Sequence, residues 1–311
     1  MMSQNHYNKK IDKKRTALDF AIRDALNEYS WGYNITGKAT YYNYMSNEAW
    51  EEFKNDMSYE HKQQYKDGHG GELNEKDGTP PKMASFGSSS RLIYLLSKDV
   101  AGFSFEEKLS TKVGGPANLD GYLKTEEHDI YVEAKCREIY GSYANQEISN
   151  VYKKVYDFIR ERNVYFNYRE TEIKGDDKHF KCTFTWKNND IIHFDLKQLI
   201  CHFLGICANI LEKEANSDVK FIYLIFNPNE DTDFSDVHIK NFEKKIKNDY
   251  SKTLEEISWL KDFKWLYDII MEYQITNCKC KSRPEWSFRF DMVDQKQYRD
   301  HIKPYLSNER D

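Results

Sequence analysis

The chain has little of what staples or interrupts a fold: 6 cysteines, 6 prolines and 14 glycines in 311 residues. No two of Cys136, Cys182, Cys201, Cys207, Cys278 and Cys280 form a CxxC pair, and no His stands at ligand spacing from Cys278 or Cys280. That excludes a zinc knuckle and argues against a disulfide scaffold. No secretory leader precedes the fold, so the thiols read as reduced and the protein as cytoplasmic. No apolar run approaches the length of a membrane span, so no membrane partner is expected. Positive charge is not in excess either: 46 Lys and Arg against 51 Asp and Glu leave a net charge of −5. A globally basic nucleic-acid coat is thereby excluded, but a local basic channel is not. Repeats and low-complexity tracts are lacking.

The length is large for one domain and small for two. The expected organisation is a helical and loop extension over 1–85, a core over 86–230 with an insertion at about 141–190, and a helical part over 231–311 that packs on the core.

The most informative stretch runs from Asn118 to Tyr140. From Ile130 to Arg137 residues alternate strictly, with Ile130, Val132, Ala134 and Cys136 on one side and Tyr131, Glu133, Lys135 and Arg137 on the other. A period of two predicts a half-buried strand. Leu119 and Leu123 oppose Asn118, Asp120 and Tyr122 in the same way, and the acidic turn 125–129 joins the two as a hairpin. A turn centred between Glu126 and Glu127 sets Asp120 opposite Glu133, one strand apart at about 5 Å. Two carboxylates side by side repel, and a sheet built only for stability would oppose each with a cation. A divalent ion removes the repulsion. Mg²⁺ suits a site of Asp120, Glu133 and the Ala134 carbonyl. Lys135, on the same face, could orient or deprotonate water there or neutralise charge developing at phosphorus. On this reading Lys135→Ala leaves folding and metal binding nearly intact and slows the chemistry.

Asp120 followed by Glu133-Ala134-Lys135 resembles the PD-(D/E)XK signature of restriction-endonuclease-like nucleases, with Pro116 four residues before Asp120 rather than one. A narrower resemblance, to a restriction-endonuclease-like family, rests on GGEL, PPKMAS, SSSRL, FEEKL, NLDGYL, YVEAKCREIY and DLKQLICHFLG. It implies an α/β fold with an α-β-β-β-α-β core, a mixed central sheet flanked by helices. The activity it implies is Mg²⁺-dependent hydrolysis of DNA, with Mn²⁺ able to substitute, by a restriction-type endonuclease. A repair or recombination nuclease and a non-catalytic DNA-binding protein are the alternatives, and a homodimer stays open. The resemblance implies that Gln198 faces the metal and that Glu72 and Glu138 are accessory groups near the site. An exposed loop acid is the competing reading of Glu72.

The remaining chain reads as follows. The basic segment NKKIDKKR (8–15) is a frayed terminus or a phosphate-touching arm. Helical spacing marks 16–27 and 47–57, and the tyrosines between them suit packing or base stacking. Serines cap a helix beginning near Arg91. Residues 103–110 alternate as a strand with Phe103, Phe105, Glu107 and Leu109 on one face, which favours Glu106 over Glu107 as the acid nearer the site. The segment 145–165 has helical spacing and carries Lys153, Lys154, Arg160 and Arg162, and 166–190 reads as a tyrosine-rich, charged hairpin; the cations either face solvent or touch DNA. Asp195 to Leu211 is a buried helix interrupted by Gln198 and His202, four apart. Buried polar groups need partners. His202 is either a satisfied core histidine or a phosphate donor. Residues 219–226 read as a central strand, 236–275 as amphipathic helices and Ser287 to Phe290 as an edge strand.

Overall fold

A computed structural model describes residues 18–19, 21–23, 34–36, 39–41, 43–68, 71–138, 143–163, 165–172, 179–186, 193–213, 217–228, 240, 243–260, 263–278 and 284–305. The basic segment 8–15 and Cys280 lie outside them. Among the described residues no helix is long and apolar enough to cross a membrane.

The architecture is α/β. A five-stranded mixed sheet is built from β3 (Ser104–Leu109), β4 (Ala117–Lys124), β5 (Asp129–Lys135), β9 (Ser217–Ile225) and β10 (Trp286–Asp294), in the order β10-β9-β5-β4-β3. β3, β4 and β5 form an antiparallel meander, and β9 and β10 add in parallel to β5. β5 and β9 occupy the middle, and every residue of β5 is buried. Such strands are covered on both faces, which is why β9 reads as one apolar run.

Two helices provide that cover. α3 (Ser89–Ser97) contacts β4 and β5. Its first turn is closed by the Ser88 hydroxyl, which accepts from the Arg91 N–H at 3.2 Å; this is the helix the serine run announces. α5 (Leu196–Lys213) packs on β3 and β4. Asp195 caps it, accepting from the Gln198 N–H at 3.0 Å. α5 comes very close to the sheet at Gly205, where an added Cβ would lie 2.7 Å from Ala117 Cβ and 2.9 Å from Leu109 Cβ. Only glycine allows that approach.

Ahead of the sheet come β1 (Asn34–Thr36), β2 (Ala39–Tyr41), α1 (Asn47–Asp56) and α2 (Tyr59–Asp67). Tyr65 of α2 stacks on Phe105 at 5.4 Å and donates to the Ser90 carbonyl, tying this part to α3 and β3. Between β5 and α5 stands a second, three-stranded sheet: β6 (Gln146–Ser149), β7 (Phe166–Glu172) and β8 (His179–Trp186), in the order β6-β8-β7, with α4 (Lys153–Arg162). The helix expected over 145–165 therefore starts late. Gln146 and Ile148 are buried while Glu147 is exposed, a period of two that β8 captures by pairing.

After β9 come α6 (Glu243–Leu260) and α7 (Lys264–Cys278), and α7 packs on α5. β10 and α8 (Gln295–Ile302) complete the described chain. The C-terminal segment is thus not only helical: its nine-residue strand extends the central sheet at its edge.

Candidate functional site

The hairpin pairs Gly121 with Val132, Tyr122 with Tyr131, Leu123 with Ile130 and Lys124 with Asp129. That register is the one a turn centred between Glu126 and Glu127 requires. The Thr125 hydroxyl, which accepts from the His128 N–H at 2.9 Å, fixes the turn. Extended by one pair, the register sets Asp120 beside Glu133. There a side chain takes over from the ladder, as Asp120 Oδ2 accepts the Ala134 N–H at 2.7 Å.

Glu133 is 2% exposed and Lys135 6%. Lys135 Nζ lies 2.5 Å from Glu133 Oε1 and 2.5 Å from Gln198 Oε1, and Gln198 Nε2 donates to Glu133 Oε1 at 2.7 Å. One amide thus binds both members of the ion pair. His202, one turn further along α5 and 2% exposed, brings Nε2 to 3.0 Å from Glu133 Oε2. By strict geometry Oε2 has no hydrogen-bond partner among the described residues, though His202 lies within ion-pairing distance and lowers the Glu133 pKa. Another two turns on, Asn209 donates to the Tyr131 hydroxyl at 3.1 Å. The polar residues of α5 therefore meet the odd-numbered face of β5.

Charge is unevenly shared. Burial pushes Glu133 up, but Lys135 and His202 beside it outweigh that and hold it at about 2. Burial pulls Lys135 down, yet Glu133 holds it well above the usual lysine range, so it keeps its proton. So placed it is an ammonium, the form that neutralises charge developing at phosphorus. The burial of the pair argues that Lys135→Ala costs stability, because Glu133 would keep only Gln198 and His202 beside it.

Asp120 is driven well above the carboxylate range by burial and by the charges of Glu133 and Glu106, against Lys135 and the Ala134 N–H. Glu106 rises to about 7 through burial and the charges of Glu72 and Glu133. Glu106 sits in β3 with φ of +56°, in the left-handed region, and forms no pair with β4 there. Its field reaches Asp120, whereas Glu107 responds to burial and Lys213. Of the two neighbouring acids, Glu106 is the one beside the site.

Glu72 is buried, not an exposed loop acid, and is paired with Lys82 at 3.0 Å. Glu138 accepts from the Ser89 hydroxyl at 2.8 Å and from the Cys136 N–H at 2.9 Å. Glu72, Glu138, Asp120 and Ala134 line a common cavity of about 210 Å³. The structure thus brings together Asp120, Glu133, Ala134, Lys135, Gln198 and His202, with Glu106, Glu72 and Glu138 around them.

The insertion is a different matter. Lys153 pairs with Glu170 at 2.5 Å, Arg160 with Asp157 at 3.0 Å, and Arg162 with Glu272 at 3.7 Å. Arg160 also lies over Tyr168 and Arg162 over Phe158. These cations have acidic and aromatic partners within the protein and stay 36–51% exposed.

Sequence reasoning missed Arg137 and Asp19. Strand alternation would set Arg137 with Lys135, but β5 ends at Lys135 and the chain then turns, with the Cys136 N–H bonded to Glu138. Arg137 instead donates to the fully buried Asp19, through Nη1 at 3.2 Å to both oxygens. No spacing in the sequence signals a pair separated by 118 positions.

Among the described residues, no group of three or more His, Cys, Asp and Glu is arranged as a metal cage. The donor set nevertheless fits a hard cation: Asp120, Glu133 and the Ala134 carbonyl are all oxygen ligands, Glu133 Oε2 lacks a hydrogen bond, and Asp120 opens on the cavity. No family model, no curated protein and no solved structure matches the chain.

Proposed function

We propose that this protein is a Mg²⁺-dependent endonuclease that hydrolyses phosphodiester bonds of DNA, of restriction type. In this reading α3, β3, β4, β5, α5 and β9 form an α-β-β-β-α-β core of the restriction-endonuclease-like kind. One observation carries it: a hairpin register that puts two carboxylates side by side, with a protonated lysine two residues beyond the second.

Asp120, Glu133 and the Ala134 carbonyl would hold Mg²⁺, or Mn²⁺ in its place. Bound there, the ion would supply Lewis acidity toward a phosphate oxygen and toward water. The other roles belong to the chain. Lys135 offers an ammonium where negative charge builds on phosphorus, and removing one such donor typically costs on the order of 10²-fold or more in rate. Gln198 holds Lys135 and Glu133 in register, and His202 lies against the second Glu133 oxygen. Glu106 adds negative charge beside Asp120. The described cysteines Cys136, Cys182, Cys201 and Cys207 are unbridged, which suits a cytoplasmic setting.

Calorimetric titration tests the site: Mg²⁺ or Mn²⁺ binds the wild type, and Asp120→Asn abolishes binding because one carboxylate charge is lost. Unchanged binding by that variant would move the site elsewhere.

A further inference from the structure

The cavity that takes in Asp120 and Ala134 is also lined by Arg137, Lys82, Ser85 and Ser89. Arg137 stands out among these because its three hydrogen bonds all leave from one nitrogen. Nη1 donates to Asp19 Oδ1 and Oδ2 and to the Ser85 hydroxyl, each at 3.2 Å. A guanidinium carries five N–H donors in a fixed plane. Among the described residues Nε and Nη2 donate to nothing, and the side chain keeps 19% of its surface exposed.

The fork is also held still. Asp19 is fully buried and receives a second donor, Asn43 Nδ2, at 2.9 Å. A Cβ on Gly87 would lie 2.4 Å from Asp19 Oδ1 and 2.7 Å from Arg137 Cδ, so the pair needs glycine at that position. The cavity carboxylates, meanwhile, are already engaged: Glu72 by Lys82, Glu138 by Ser89 and the Cys136 N–H, and Asp120 by the Ala134 N–H. What Arg137 lacks is an anion for the remaining edge of its plane.

We propose that Arg137 binds a backbone phosphate of the DNA next to the bond being cut, and that Asp19 is the positioning residue that aims it. This rests on the nuclease reading and makes the N-terminal segment part of the substrate site. A planar fork anchored on a carboxylate through Nη1, in a side chain that lines the cavity, matches two phosphate oxygens with its remaining donors, which a lysine would meet only as a point charge. The cavity, at about 210 Å³, is roomy beside the roughly 30 Å³ that one water occupies.

The test is the salt dependence of DNA affinity, measured by fluorescence anisotropy in the Asp120→Asn protein with EDTA present, so that no cleavage intervenes. Removing a cation that neutralises one phosphate lowers the slope of log K against log[salt] by about 0.9 on duplex DNA or about 0.7 on single strands. Arg137→Gln should lose that much slope and bind about tenfold or more weakly at low salt. Arg137→Lys should keep the slope while losing affinity, since the charge remains and the fork does not.

Arg137→Gln takes the cation away from the buried Asp19 and could unfold the protein, so Asp19→Asn/Arg137→Gln is measured beside it. With both charges removed, the double variant should show the same loss of slope. DNA binding with an unaltered slope in a folded variant overturns the assignment and leaves the nuclease reading standing. No DNA binding by the Asp120→Asn parent overturns both.

Discussion

Replacing Lys135 by Ala removes the first of the two groups, with His202 the second, that keep the buried Glu133 carboxylate ionised. Glu133 is held at about 2 against an ordinary 4.5, a gap of about 2.5 pH units. At 1.36 kcal/mol per unit this is about 3 kcal/mol, in line with the roughly 3–5 kcal/mol for breaking one side of a buried pair. Because the folded pKa is depressed, this stabilisation is present above about 4.5 and lost as pH falls toward 2. Because His202 and Gln198 retain part of the compensation, the variant should be up to about 3 kcal/mol less stable at pH 7 in EDTA, read from urea unfolding. Mg²⁺ should recover more stability in the variant than in the wild type, because the ion takes over the neutralisation of Glu133. Cleavage should nonetheless fall by about 10²-fold or more. A loss below about 1 kcal/mol in EDTA, or equal Mg²⁺ stabilisation of both proteins, would refute the reasoning that ties Lys135 to Glu133.

Other consequences follow from the same geometry. Gln198→Ala frees both ends of the ion pair, so the cleavage rate should fall while DNA affinity holds; single-turnover kinetics and anisotropy separate the two, and a fall in affinity alone would count against it. Glu106 has its folded pKa raised to about 7 from 4.5, so its contribution is favourable below about 4.5 and is lost as pH rises to about 7. Metal-free stability should drop across that window and Mg²⁺ should reduce the drop, which unfolding at several pH values checks. With Asp120 also raised, Mg²⁺ affinity should climb with pH and binding should release protons, visible as a buffer-dependent heat in calorimetry. Gly205→Ala forces a methyl into Ala117 and Leu109 and should cost about 1–3 kcal/mol, since α5 must move off β3 and β4; an unchanged urea midpoint would mean that the helix yields freely.

Much of this was legible because it is local. A period-two pattern and a polar turn are enough to set the register of β4 on β5, and with it the meeting of Asp120 and Glu133. Gln198, His202 and Asn209 are spaced to share one face of α5, so their convergence on β5 follows from helical geometry. What stayed hidden depends on distant chain. The left-handed backbone at Glu106 was not legible, although alternation had already favoured Glu106 over Glu107. The protonated state of Lys135 comes from Glu133, which outweighs the downward pull of burial, and both depend on the packed helix above it. β6 could not be separated from α4 because four residues of alternation look helical until a partner strand is known. Arg137 leaves the face predicted for it because the strand ends two residues earlier.

The central claim is that Asp120, Glu133 and Lys135 form a hydrolytic site for DNA. Purified wild-type protein should be incubated with Mg²⁺ or Mn²⁺ and a panel of duplex, single-stranded and modified DNA, beside Asp120→Asn and an EDTA control. Cleavage by the wild type, its arrest by EDTA, and its loss in a folded Asp120→Asn protein are the expected results. DNA retained but uncut on every substrate, or cut by Asp120→Asn at the wild-type rate, would contradict the claim.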